Sequence, residues 1–142
     1  MLRAEYAKRG IKFMLNTKVV SLDGSTGETQ VRVNYGNAEG TGFSVAEKLL
    51  MSVGRRPVTK GFGLENLNPE KTERGNIRVD GQMRTSVTGV YACGDLTGFS
   101  LLAHTAVREA EVAVHAVLGK KDCMSYRAIP GVVYTNPEIA GV

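Results

Sequence analysis

The chain has 142 residues, 42% hydrophobic and 23% charged, with 18 basic and 14 acidic side chains for a net charge of +4. That length suits about one globular domain, and the apolar content excludes a solvated coil. No run approaches the ~18 apolar residues of a membrane helix, and with the polar opening Met1-Leu2-Arg3-Ala4-Glu5 no secretory signal is expected.

Two cysteines cannot build a disulfide framework, which points to a reducing, cytoplasmic setting. Residues 1–60 carry ten Lys/Arg against five Asp/Glu, and residues 61–142 carry eight against nine. This spread, with no basic stripe interleaved with aromatics, argues against a nucleic-acid reader. Neither a nucleic acid nor a membrane is an expected partner.

In chain order, residues 1–9 read as a helix stopped by Gly10. Ile11–Leu15 reads as a short strand. Lys18–Leu22, Thr29–Tyr35 and a strand opening at Phe43–Val45 read as a β-meander, with turns at Asp23–Gly27 and Gly36–Gly42. Lys48–Val53 is more continuously apolar and is expected to lie deeper, ended by Gly54-Arg55-Arg56-Pro57. Residues 58–76 read as loop with one helical turn. Ile77–Asp80 and Val90–Cys93 read as strands. Leu101–Leu118 is the clearest helix, with Ser100 as N-cap and Gly119 as stop. Ala103, Ala106, Val107, Ala110, Ala113, Val114 and Val117 form its expected apolar face, opposite His104, Arg108, Glu111 and His115. Val132–Tyr134 is an extended piece with nothing expected to return it to a sheet.

Motifs with a fixed chemistry are scarce. Gly61-Phe62-Gly63 lacks the third glycine of a dinucleotide fingerprint, and Gly119-Lys120-Lys121 lacks the rest of a P-loop. His104 and His115 lie about 16 Å apart along a helix, too far to share a metal. Cys93 and Cys123 read as small buried hydrophobes. One constellation remains. The segment Thr85–Asp95 delivers Gly94 and Asp95 at the carboxyl end of an expected strand, where α/β sheets bind ligands. Asp95 either accepts bonds from a sugar-like hydroxyl or simply begins a turn. Six residues on, a helix start offers free N–H groups and partial positive charge to an anion or electron-rich ring edge. The His104 side chain itself reads as solvated on a polar face.

Leu50-Met51-Ser52-Val53-Gly54-Arg55-Arg56-Pro57, Thr85–Asp95, Leu102-Ala103-His104-Thr105-Ala106 with Glu109, and Ile129–Val142 occur in an order and spacing that resembles dihydrolipoamide dehydrogenases, within the wider flavoprotein disulfide reductases. Gly-Arg-Arg-Pro and the Gly-Asp segment specify only the wider group. Leu102-Ala103-His104 and Tyr134-Thr135-Asn136-Pro137-Glu138 point to the lipoamide branch. Thr88, Cys93 and Ala110 depart from the usual pattern. The resemblance implies an α/β chain with an incomplete, Rossmann-like three-layer FAD/NAD fold, a β-meander and the first strand of an α+β dimerisation domain. Residues 1–57 would match the rear half of the NAD domain, 58–125 the returning part of the FAD domain, and 126–142 the opening of the interface domain.

FAD and NAD are the implied cofactors. Gly94, Asp95, Leu101, Leu102, Ala103 and His104 match FAD contacts, Asp95 on the ribitol chain, Leu101 to His104 at the flavin edge, and Gly94 where the ligand approaches the backbone closely. Val19 and Gly54 match NAD contacts, although Val19 reads equally well as a plain strand residue. Arg55 is expected to be structural, packing between domains, and Arg56 stays open. The implied activity oxidises dihydrolipoyl groups of 2-oxo-acid dehydrogenase or glycine cleavage complexes, passing electrons through FAD to NAD. The implied partners are a dihydrolipoyl domain and a second copy in a homodimer. The family's FAD fingerprint, its pair of cysteines separated by four intervening residues and its His-Glu pair are not in the sequence, so no catalytic residue is expected here and the piece is expected to be inactive alone. A non-catalytic binding module, or another flavin disulfide reductase subfamily, is the alternative.

Overall fold

Asn37 sets the turn between two strands. Its side-chain Oδ1 accepts from the amides of Glu39 (2.9 Å) and Gly40 (3.2 Å), and Gly40 supplies a φ of +139°. The turn joins β2 (Val31–Asn37) to β3 (Gly40–Ala46), and β1 (Lys18–Asp23) pairs on the other side of β2. The computed structural model describes residues 1–24 and 29–142, which divide into two units, Met1–Val53 and Gly54–Val142.

In the first unit, α1 (Leu2–Lys8) ends at Gly10 (φ +85°), as expected. The meander is antiparallel in the order β1-β2-β3, with Val19 opposite Tyr35 and Tyr35 opposite Gly42. At Gly42 a Cβ would stand 2.9 Å from the Tyr35 ring, so a larger residue there requires the ring to shift. The Arg32 guanidinium lies 3.7 Å from the Phe43 ring centroid on the neighbouring strand. Val20 is an extra residue in β1, a bulge between Val19 and Ser21. Residues 25–27 of the expected Asp23–Gly27 turn lie outside the described residues.

Two expectations fail here. Ile11–Leu15 and Lys48–Val53 are irregular, with no ladder partner among the described residues. Lys48–Val53 is also far from deep: Leu50 is 89% and Val53 85% exposed. Apolar composition marks a segment that can be covered, but burial needs a neighbouring layer, and the three-stranded meander supplies none for it.

The second unit is held by a small core of Ile77, Met83, Ala92, Val112 and Ala116. The expected strands Ile77–Asp80 and Val90–Cys93 shrink to single bridges, Lys71 with Ile77 and Arg84 with Tyr91. A 3-10 turn at Leu64–Asn66 fills the loop region as anticipated, and a second spans Gly94–Leu96.

The helix α2 (Ala103–Val117) is where expected, but its buried face differs. Thr105, Glu109, Val112 and Ala116 are buried, whereas Val107, Val114 and Val117 are more than half exposed. The buried stripe has helical spacing too, and its polar members find partners inside, so hydrogen bonding offsets their desolvation. Ser100 is not the N-cap. Leu102 holds that position without a side-chain bond, and the Ser100 hydroxyl meets the Thr105 hydroxyl at 2.9 Å. Gly119 (φ +69°) follows the helix end.

Val132 is returned to a sheet after all, since β4 (Gly131–Val133) pairs antiparallel with β5 (Ile139–Gly141) across a turn containing a cis Asn136–Pro137 bond. Both cysteines are exposed, against expectation. Among the described residues, no helix is long and apolar enough to cross a membrane, and no cluster of three or more metal-ligating side chains occurs.

Candidate functional site

Asp95 is presented by a short turn rather than by a strand. Cys93 is extended (φ −145°, ψ 166°), Gly94 takes φ +75°, and Gly94–Leu96 form a single 3-10 turn closed by Thr97, whose amide (2.9 Å) and hydroxyl (3.0 Å) both donate to the Gly94 carbonyl. Gly94 packs against α2 so closely that an added Cβ would lie 3.3 Å from the Ala106 Cβ. The Asp95 carboxylate is half exposed, and Arg55 Nη1 approaches its Oδ2 at 3.4 Å. Arg55, expected to pack between domains, thus reaches the predicted ribitol-binding carboxylate. Both side chains are solvated, so this pair contributes little to stability. Its significance is the position it gives each group.

Asp95 and Leu101 line one cleft of about 1110 Å³, together with Arg55, Arg56, Arg74 and Asn76. Three guanidinium groups against Asp95 and Glu73 leave its wall net positive. Gly98 also lines it, with φ +77° and a Cβ position only 2.5 Å from Asn76 Cγ. The Asn76 side chain reaches toward the Asp95 carbonyl at 3.5 Å.

Beyond Leu101, the backbone turns at Leu102 (φ −123°, ψ 133°) and α2 begins at Ala103 without any capping side chain. The first N–H groups of the helix therefore remain available as donors. His104 is not a free surface group. Its Nε2–H donates to the Pro130 carbonyl at 3.0 Å. Gly54 (φ +115°) is in the second unit, with open space around its Cα, and Val19, more than half exposed beside the β1 bulge, is in the first.

What holds this arrangement is Glu109, which the sequence offered only as part of the family resemblance, together with Tyr126, which it did not single out. Glu109 is fully buried and accepts from the Gly94 amide and from the Tyr126 hydroxyl (2.7 Å), with the Thr97 hydroxyl at 3.5 Å. Burial, then the hydrogen bond and charge of Glu109, push the Tyr126 phenol above its ordinary range. Burial and the same carboxylate also raise the Cys93 thiol, so it is not an activated thiolate. Toward the other end of α2, Asp122 accepts from Arg108 and His115, both at 2.7 Å, and these bonds hold its carboxyl at about 2. A charged residue at position 109 of a stripe running 105, 109, 112 and 116 was the available signal for the buried acid. Nothing local announced Tyr126 as its partner.

The chain as a whole is similar to solved and curated proteins. The chain superposes on LpdA from Mycobacterium tuberculosis with a TM-score of 0.86 at 31% identity, covering 98% of this chain and 29% of that one. It also matches the flavoprotein disulfide reductase RclA of Escherichia coli, in the copper(II) complex of a point mutant, with a TM-score of 0.83 at 25% identity, over 98% of this chain and 31% of that one. The dihydrolipoyl dehydrogenase of Thermus scotoductus is 39% identical over the whole chain and 31% of its own length. The mitochondrial dihydrolipoyl dehydrogenase 1 of Arabidopsis thaliana is 38% identical over 95% of this chain and 27% of its own length. The chain thus spans under a third of the curated relatives it matches. The mixed helix–strand architecture with small, open sheets accords with part of a Rossmann-like flavoprotein fold, as the sequence implied. A sequence profile of the Pyridine nucleotide-disulphide oxidoreductase family matches residues 1–110, and the chain belongs to that family.

Proposed function

We propose that this chain is one portion of a dihydrolipoamide dehydrogenase. In that reading it carries the ribityl-facing and flavin-edge contacts of an FAD site and two contacts of an NAD site. The observation that supports it best is the cleft shared by Asp95 and Leu101 just ahead of an uncapped helix start. The fit to a flavin dinucleotide is chemical. A half-exposed carboxylate accepts bonds from ribityl hydroxyls, and a helix start places partial positive charge where a reduced ring would carry negative charge. Gly94 keeps side-chain bulk out of the turn, and three arginines favour an anionic ligand.

In the proposed assignment Asp95 binds the ribitol chain. Gly94 allows close approach of the ligand to the backbone, and the amides of Leu101, Leu102, Ala103 and His104 face the flavin edge. Val19 and Gly54 contact NAD at its adenine and nicotinamide ends. Arg55 holds the Asp95 carboxylate in place, and His104 fixes the first turn of α2 through Pro130. FAD held by these residues would supply two-electron transfer between the dithiol side and NAD⁺. The net reaction takes two electrons and two protons from a dihydrolipoyl group, gives a hydride to NAD⁺ and releases one proton.

The proposed organisation assigns residues 1–57 to an NAD domain, 58–125 to an FAD domain and 126–142 to the start of an interface domain. The proposed setting is a cytoplasmic homodimer serving a dihydrolipoyl domain of a multienzyme complex. The similarity to RclA keeps another flavin disulfide reductase subfamily as the second reading, but the identity of 38–39% to the dihydrolipoyl dehydrogenases favours the first. With no pair of cysteines separated by four intervening residues, the chain by itself is expected to show no dihydrolipoamide turnover. The test is titration of FAD and riboflavin fluorescence with the pure chain and with Asp95→Ala. Quenching by the former that weakens about tenfold in the latter supports the assignment. Equal quenching by both removes Asp95 from it.

A further inference from the structure

An ionised carboxylate without solvent is unfavourable unless donors surround it, and an apolar residue would serve helix packing alone as well or better. Glu109 has 0% exposure, and its donors come from two separate pieces of chain. Oε2 takes the Gly94 amide, the peptide N–H immediately before Asp95. Oε1 takes the Tyr126 hydroxyl at 2.7 Å. The Thr97 hydroxyl lies 3.0 Å from the Gly94 carbonyl and 3.5 Å from Oε1, sharing its proton between them. Around this centre, Phe99 stacks on Tyr126 with centroids 4.8 Å apart, and His104 binds the Pro130 carbonyl. The Asp95 turn and Tyr126 therefore meet at one carboxylate, while Phe99 and His104 tie the stretch 126–130 to the segment leading into α2 and to its first turn.

We propose that Glu109 is the positioning residue of the Asp95 site, fixing the Asp95 turn through the Gly94 amide and the 126–130 stretch through the Tyr126 hydroxyl. Its second partner makes residues 126–130 part of the same binding unit. The inference rests on the reading that Asp95 faces a ribityl chain, and the test separates the two.

Amide deuterium exchange is followed by NMR in the 142-residue chain and in Glu109→Ala, Glu109→Gln and Tyr126→Phe. Glu109→Ala removes a charge-assisted bond and accelerates exchange at Gly94 by about tenfold or more, relative to Val112–Ala116. Glu109→Gln keeps an acceptor of the same shape and restores most of the protection. Tyr126→Phe accelerates exchange at Gly94–Leu96 and leaves Val112–Ala116 unchanged. A rise of equal size at both places in Glu109→Ala means general loss of packing and overturns the proposal, as does an unaltered Gly94. Should Glu109→Ala fail to fold, Tyr126→Phe decides on the same criterion. Riboflavin titration is run in parallel. Wild-type binding weakened about tenfold in Glu109→Ala and regained in Glu109→Gln links the positioning to ligand. No binding by the wild type counts against the flavin reading alone, because the exchange result still decides the role of Glu109.

Discussion

Replacing Gly98 by alanine measures how tightly the cleft wall is built. Gly98 holds φ +77°, a conformation that costs an L side chain about 1–2 kcal/mol. Its new Cβ would stand 2.5 Å from Asn76 Cγ and 2.6 Å from Asn76 Nδ2, so the Asn76 side chain must swing away. Doing so gives up its 3.5 Å approach to the Asp95 carbonyl, a loss of up to about 1 kcal/mol. Together these give about 1–3 kcal/mol, or a fall in Tm of roughly 4–12 °C for a chain of this size. The assay is a double-mutant cycle by urea or thermal unfolding, with Asn76→Ala as the second arm. Truncating Asn76 removes the clash, so Gly98→Ala in that background should cost only the backbone part, about 1–2 kcal/mol. A cost below about 0.5 kcal/mol in the wild-type background, or the same cost in both, would refute this account.

Three further outcomes are expected. Val112→Ala removes a fully buried side chain and costs about 1.5–3 kcal/mol, whereas Val114→Ala, on the exposed face, stays within about 0.5 kcal/mol; equal costs would restore the apolar face expected from sequence. Asp122, held at about 2 by Arg108 and His115, contributes stability that is full above the unfolded carboxyl range near pH 4 and is lost as pH falls toward 2. Asp122→Asn should flatten the Tm profile across that window, and an unchanged profile would dismiss the network. Tyr126, whose pKa is raised, contributes stability present below about pH 10 and lost as pH climbs beyond it. Absorbance at ~295 nm should show one phenol titrating late in the wild type and absent in Tyr126→Phe.

Much of this arrangement was legible in the residues. The alternation of Thr29–Tyr35 placed β2, Gly10 and Gly119 marked helix ends, and the Gly94-Asp95 pair with the following helix start marked the cleft that Asp95 and Leu101 line. What escaped was long-range. Lys48–Val53 has the composition of an inner strand, but composition says nothing about whether another layer lies beside it. The face of α2 was misjudged because alanine and valine recur at helical spacing on one stripe, while the buried stripe contains Thr105 and Glu109, whose partners Ser100, Gly94 and Tyr126 come from elsewhere in the chain. The pairing of Arg55 with Asp95 spans 40 residues and has no local signature.

Val20 gives the meander a spare unit of length. On either side of it the pairings Val19 with Tyr35 and Ser21 with Asn34 already follow consecutive residues of β2. Deleting Val20 would leave each of those pairs intact and remove only the local kink. Related chains one residue shorter at this point can therefore share the same ladder, and an aligner that places the gap there will be counting a bulge.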